Sequence, residues 1–261
     1  MERTLHILGR EGAFHSIAAR RAWGDLKFHC HTDPLHVADS AANGAHALLA
    51  VENSLAGSIP KHMTAIASRQ VYVHAEIWLR IQLDLCVLPG TEIDALEEVR
   101  SHPMAIRESG PFFEKYPHIQ LVEWSDTASA AASVKEEGRP AVGAISSSDA
   151  AELYGLDVRA TAIESHYDNW TRFLMLENEP AQAVLDANAD SRLIVFAEPG
   201  PETLEPFLNG LEPLTEIMLR DNLYWMEFQG SGAQMTALHQ ALSTSAEAFV
   251  LGSFEAGARY S

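Results

Sequence analysis

Short apolar runs alternate with helix-period stretches over the first two-thirds of the chain, and this alternation leaves few folds open. Parallel strands need a crossover connection between them, so a strand–helix–strand succession builds βα units and an α/β fold with a largely parallel sheet. The succession starts with a strand at Thr4–Leu8, a Gly9-x-x-Gly12 turn and a helix over 13–23. A strand at Lys27–His31 and a helix at Pro34–Ala42 come next, with Asp33 placed to cap the helix. A buried strand over 45–51 runs into Glu52-Asn53-Ser54, and a helix over 59–68 follows.

The stretch 71–88 is long and β-rich, closes on Pro89-Gly90, and is expected to cross between two lobes. A second βα series then begins, with strands over 99–101, 120–123 and 142–145 and helices over 103–116, 127–137 and 148–154. A strand over 171–176 ends it. Two such series joined by one β-rich segment predict two lobes with a cleft between them.

Beyond a polar linker over 179–190 the pattern changes to strand 192–197, helix 202–211, strands 214–219 and 224–229, helix 233–243 and strand 248–254. This βαββαβ order predicts a ferredoxin-like domain over 191–261, separate from residues 1–178.

Charge narrows the function classes. The 261 residues carry 18 Lys and Arg against 36 Asp and Glu, a formal net charge of −18. Nucleic acid and anionic membrane surfaces are disfavoured, because each phosphate contact needs a cation. A small anionic substrate stays possible, since backbone N–H groups and one or two arginines can hold it. No apolar run approaches the ~20 residues of a membrane helix. The opening residues lack a secretory stretch, and two cysteines, Cys30 and Cys86, make no disulfide framework, so a cytoplasmic setting is expected.

Ligands of α/β folds collect where strands end in loops. Five such places are polar: Gly9–Gly12, Glu52-Asn53-Ser54, Ser101-His102-Pro103, Ser125-Asp126-Thr127 and the segment Asn169-Trp170-Thr171-Arg172-Phe173. Helix N-termini near three of them could receive carboxylates, although Ser, Thr, Asp and Asn there also serve simply as caps. Gly9-x-x-Gly12 lacks the third glycine of a dinucleotide loop and the lysine of a P-loop, so no nucleotide is expected. His29 and His31 share one strand face with Cys30 opposite, and no second ligand pair is evident, so no metal is expected. No G-x-S-x-G elbow occurs, and Cys86 sits in an apolar strand as a core residue.

Taken in order, these segments resemble the prephenate dehydratase family. Gly9-Arg10-Glu11-Gly12-Ala13-Phe14 is similar to its G-x-x-G opening. Glu52-Asn53-Ser54 with Gly57 and Ile59 is similar to its E-N-[ST]-x-x-G-x-[IV]. Ser101-His102-Pro103, Asp126-Thr127, Tyr154-Gly155-Leu156 and the N-x-T-R-F of residues 169–173 resemble further family motifs. Val250-Leu251-Gly252-Ser253-Phe254 is similar to the close of the family's C-terminal ACT domain.

The resemblance implies a two-lobed, periplasmic-binding-protein-like catalytic domain followed by an ACT-type domain. It implies a homodimer or homotetramer that converts prephenate to phenylpyruvate, in phenylalanine biosynthesis, with no cofactor or metal. Carried over from the motifs, Thr171 would hydrogen-bond the leaving hydroxyl. Arg172 would either anchor a carboxylate or hold the strand end through an ion pair. Phe173 would form an apolar wall, and Asn53, Ser54, Ser101, His102 and Thr127 would bind substrate.

Two departures matter. Glu108-Ser109 stands where the family carries an amide and a thiol. Glu108 would repel a dianion unless it is protonated in a desolvated cleft, where it would be a candidate general acid, or points away. Gly200-Pro201-Glu202 and Met218-Leu219-Arg220-Asp221 replace most of the motifs tied to phenylalanine binding, which puts phenylalanine as an effector in doubt. Arogenate dehydratase, a non-aromatising prephenate decarboxylase and a non-catalytic carboxylate sensor remain as alternatives.

Overall fold

The structure is a computed structural model and describes residues 4–181, 185–208 and 210–261. The chain begins with β1 (Thr4–Leu8), α1 (Phe14–Trp23), β2 (Lys27–His31), α2 (Pro34–Ala42), β3 (His46–Asn53), β4 (Gly57–Ser58), α3 (Pro60–Arg69) and β5 (Tyr72–Arg80). It then crosses into a second sheet. There lie β6 (Asp84–Val87), β7 (Glu98–Ser101), α4 (Pro103–Phe113), β8 (Gln120–Glu123), α5 (Thr127–Glu137), β9 (Val142–Ser146), α6 (Ser148–Tyr154) and β10 (Asp157–Ala160). β11 (Trp170–Glu177) returns the chain to the first sheet.

The stretch expected to cross between lobes does so at residues 81–83, with β5 and β6 in different sheets. The sheets are mixed, which corrects the expectation of a largely parallel arrangement. β1 pairs in parallel with β2 and β3, and β7 in parallel with β8 and β9. β11, arriving from the second lobe, inserts antiparallel between β3 and β5. β6 likewise runs antiparallel to β9 and β10. Crossover strands enter each sheet from the far lobe rather than over a helix, so they are free of the parallel constraint. β10 had no sequence signal strong enough to mark it as a strand.

The remaining chain forms β12 (Asp190–Ala197), the one-turn α7 (Glu205–Leu208), β13 (Thr215–Arg220), β14 (Leu223–Ser231), α8 (Gly232–Leu242) and β15 (Ala248–Glu255). Its antiparallel sheet has the order β13-β14-β12-β15, the ferredoxin-like arrangement. Asp190 lies in β12 rather than in the linker, and linker residues 182–184 fall outside the described residues. The helix expected over 202–211 is instead a 3-10 turn at Pro201–Leu204 and the single turn of α7, with residue 209 outside the described residues. Pro201 and Pro206 within this short stretch lack the N–H groups that a longer helix needs.

Each lobe has its own apolar layer. Leu5, Ile7 and Ile17 pack with Leu79 and Phe173, and this cluster runs into the second lobe through Leu83, Leu85 and Ile145. On the other face of the first sheet, Leu49, Val51, Leu174 and Leu176 pack with Trp225, Phe196, Leu251 and Phe254 of the ferredoxin-like region. That region is therefore docked on the sheet that carries β11. Gly252 permits the approach, because a Cβ there would lie 2.2 Å from the Val73 carbonyl oxygen. After β15 the chain re-enters the first sheet as β16 (Ala258–Tyr260), parallel to β5, an element the sequence did not disclose.

Candidate active site

β3 ends and β11 begins side by side, with Thr171 opposite Asn53. The Asn53 Oδ1 accepts the backbone N–H groups of Leu55 at 3.0 Å and Ala56 at 2.9 Å, which closes the turn into β4. An amide has one acceptor end and one donor end, so its Nδ2 must face the start of β11. There it donates to Asn169 Oδ1 at 2.7 Å, Thr171 Oγ1 at 3.1 Å and the Trp170 carbonyl at 3.2 Å.

Two orientations follow. Asn169 has its oxygen engaged, so its Nδ2 is the end that reaches Glu108 Oε2, at 2.9 Å. Thr171 accepts from Asn53 and keeps its own proton, which no protein acceptor takes among the described residues. The hydroxyl is thus set as a donor toward any group placed beside it. Ser54 fixes the same strand start: its Oγ donates to the Asp168 carbonyl at 3.0 Å and accepts from Trp170 N at 2.9 Å.

Glu108 belongs to α4 in the second lobe, so its bond to Asn169 spans the two lobes. Burial pushes the Glu108 carboxyl above the ordinary carboxylate range, and nearby Glu164 adds to the effect. Arg107, the bond from Asn169 and His166 oppose the rise without cancelling it. The backbone is tied here too, with Ser165 N donating to the Glu108 carbonyl at 2.8 Å.

The crossing segments carry further polar groups. Leu83 N donates to Glu164 Oε2 at 2.9 Å, and Asp84 Oδ1 accepts from Ala162 N at 2.9 Å. Arg80 Nη2 and Glu164 Oε1 face each other as an ion pair at 4.0 Å, while Asp84 Oδ2, Ser109 Oγ and Ser146 Oγ are buried with no hydrogen-bond partner among the described residues. Unpartnered buried polar atoms are rare in folded proteins and mark places where other polar groups are accommodated. None of the sequence motifs pointed to Glu164 or Asp84.

Two of the motifs meet across the lobes at a second place. Tyr154 donates its hydroxyl proton to the Glu11 carbonyl at 2.6 Å. Gly12, at φ +91°, passes so close that a Cβ would lie 3.2 Å from Leu153 Cδ2.

The expected site residues divide. Asn53, Ser54, Glu108 and Thr171 come together, with Asn169 as the hub that the sequence placed in a motif but gave no role. The others lie apart from this group. Arg172 is 1% exposed and faces the ferredoxin-like region, with Nε 2.7 Å from Glu76 Oε2 and Nη1 2.6 Å from Glu227 Oε2. Of its two expected roles the ion pair is the one seen, because successive residues of a strand face opposite sides and Arg172 lies on the side opposite Thr171. Phe173 is also 1% exposed, packed edge-on against His15 in the core rather than forming a cleft wall.

Ser101 is fully buried, and its hydroxyl donates to the Ile145 carbonyl at 2.7 Å. His102 caps α4, with Nδ1 accepting from Met104 N at 3.2 Å. Thr127 opens α5, where the Asp126 carboxylate accepts the backbone N–H of Ser129 at 2.7 Å. Its own hydroxyl makes no protein hydrogen bond among the described residues. In the same way Cys86 is buried, its thiol pushed up to about 12 by burial, which suits core packing and not nucleophilic attack.

Comparison with known proteins gives these positions a context. A family model described as prephenate dehydratase matches residues 5–181. Arogenate dehydratase/prephenate dehydratase 1, chloroplastic, of Arabidopsis thaliana is 31% identical over 202 residues, which cover 75% of this chain and 50% of that protein. The chain thus spans about half the length of this curated relative. A bifunctional N-acyl-homoserine lactone acylase/prephenate dehydratase of Komagataeibacter europaeus is 30% identical over 238 residues, covering 89% of this chain and 84% of that one. Among solved structures, a prephenate dehydratase from Arthrobacter aurescens in complex with L-Phe aligns over 97% of this chain and 89% of that chain. Its TM-score is 0.82 at 24% sequence identity, a likeness of fold that extends through the ferredoxin-like region.

Proposed function

The chain belongs to the prephenate dehydratase family, and from that premise we propose that it converts prephenate to phenylpyruvate, carbon dioxide and water. The observation that carries the proposal is the Thr171 hydroxyl, held as an acceptor by Asn53 so that its proton faces outward as a donor. The reaction breaks the bond from the ring carbon to its hydroxyl and the bond from the ring to its carboxylate. The electron pair of the second bond completes the aromatic ring as the hydroxyl leaves. Because hydroxide is a poor leaving group, one proton must be taken up for water to depart.

Thr171 hydrogen-bonds the leaving oxygen and stabilises the charge that develops there; an alcohol's high pKa makes it a polariser, not the proton source. Glu108 is the group suited to supply the proton, as its carboxyl is held protonated to higher pH than usual. The amides of Asn169 and Asn53 fix the distance between the two groups but cannot pass a proton along. Positioning and electrostatics suffice, since aromatisation drives the reaction and no covalent intermediate is needed.

The two-lobed catalytic region fits the periplasmic-binding-protein-like description, with a cleft served by both crossings. The ferredoxin-like region fits an ACT-type domain whose effector site is altered. Arogenate, with an amino in place of the keto group, is the rival substrate, since relatives bear that name. The bifunctional relative's name adds an acylase reading that the assay must include.

The deciding experiment incubates the purified chain with prephenate, arogenate or an N-acyl-homoserine lactone and follows each product, with Thr171→Ala in parallel. Phenylpyruvate from prephenate, lost in Thr171→Ala, is the expected result. Turnover of only arogenate or only the lactone reassigns the substrate, and full activity in Thr171→Ala removes the hydroxyl from the chemistry.

A further inference from the structure

At the β2 edge of the first sheet, beside α2, three imidazoles converge. His29 and His31 project from the same face of β2, two residues apart. The parallel register sets His6 of β1 directly beside His29. His6 is the third ligand that the spacing within β2 could not reveal, because only strand pairing brings it there.

The geometry is compact. Ligand nitrogens of the three rings all lie within 4.8 Å of one another. His6 Nδ1 is 2.9 Å from His31 Nε2, and the ring centroids are separated by 4.7 Å for His6–His29, 4.9 Å for His29–His31 and 5.2 Å for His6–His31. A tetrahedral ion with Zn–N bonds of about 2.0–2.1 Å holds its ligand nitrogens roughly 3.3 Å apart. Small side-chain rotations therefore convert the observed cluster into a three-nitrogen site.

We infer that His6, His29 and His31 form a site for a late first-row divalent cation of the zinc class, with its remaining position open to water. Imidazole nitrogen suits zinc, copper and nickel, whereas calcium and magnesium require oxygen ligands. No carboxylate belongs to the group, so protonated rings would face one another without a counter-ion. A cation satisfies all three lone pairs at once. Ser40 Oγ of α2, 3.4 Å from His31 Nε2, and His36, at 6.4 Å between ring centroids, flank the group.

The site lies on β1 and β2, apart from Thr171 and Glu108, and its role is to tie the edge strand β2 to the sheet. It does not depend on the dehydratase reading. The experiment is a calorimetric Zn2+ titration of the chelator-treated full chain, paired with thermal unfolding with and without Zn2+. One equivalent is expected to bind, with a rise in Tm. His29→Ala, an exposed position whose loss leaves the fold intact, is expected to weaken binding about tenfold or more and abolish the Tm rise. His31→Asn should do the same, while exposed His118→Ala should behave as the parent does. Absence of saturable binding in the parent, or unchanged binding in both His29→Ala and His31→Asn, overturns the assignment.

Discussion

Arg172 Nη1 lies 2.6 Å from Glu227 Oε2, so the residue next to the candidate catalytic threonine is ion-paired to the ferredoxin-like region. Both side chains are 1% exposed. Glu76 takes the Arg172 Nε at 2.7 Å, and Trp225 Nε1 donates to Glu227 Oε1 at 2.7 Å. Gly257 N, just before β16, donates to Glu76 Oε1 at 2.7 Å. Thus β5, β11, β14 and the C-terminal strand meet at one buried cation. Glu227→Ala leaves Arg172 short of one anionic partner away from water, and is expected to cost about 3–5 kcal/mol in urea unfolding. Replacing both residues by apolar ones should cost less than the two single changes added together. A strictly additive double-mutant cycle would mean that the pair is not coupled.

The Asn53–Thr171 bond predicts a pair of kinetic outcomes. Thr171→Val should lower kcat by about 10²–10⁴-fold with KM little changed, whereas Thr171→Ser should keep much of the activity. Asn53→Asp keeps the size of the side chain but presents an acceptor to the hydroxyl. The Thr171 proton then turns inward, and kcat should fall although Thr171 itself is intact. Steady-state assays on the three variants, with circular dichroism to verify folding, check this.

Glu108 predicts a pH dependence of stability with a definite sign. Its folded pKa is raised, so between the ordinary value of 4.5 and the raised one the folded state holds more protons than the unfolded state. Stability then falls as pH rises through that window, and the full penalty remains above it. Glu108→Gln removes the penalty, so its gain in Tm over the parent should be larger at pH 8 than at pH 4. If Glu108 is the acid, kcat of the parent declines as pH rises through the same window, and that limb disappears in Glu108→Gln.

His15 acts in the opposite direction. Its Nε2 accepts from Ala50 N at 3.2 Å, and burial followed by neighbouring His62 holds its pKa down to about 3. Below the ordinary value of 6.5 the unfolded chain takes a proton that the folded chain refuses, so stability is lost as pH falls from 6.5 towards 3. The loss from this one group amounts to roughly 2 kcal/mol by pH 5. His15→Gln preserves an acceptor for Ala50 N and should flatten the acid side of the stability curve, measured by denaturant unfolding at pH 7 and pH 5.

The sequence by itself determined the local elements. Period-2 and helical patterns, Asp33 as a cap, and the change of pattern beyond the linker are properties of neighbouring residues, and they are found in the structure apart from the shortened helix over 202–211. The motif N-x-T-R-F likewise marked the start of β11. The tertiary structure decided what the pattern could not encode, because faces and partners depend on strand register. Pairing β3 with β11 set Thr171 beside Asn53 and turned Arg172 to the ferredoxin-like region, and it placed Phe173 in the core. It also fixed both amides, so that Asn169 reaches Glu108 from the other lobe. β16 joined a sheet begun more than two hundred residues earlier, and His6 came to stand beside His29. Contacts between residues so far apart in the chain arise only when whole elements pack, which is why no local reading reached them.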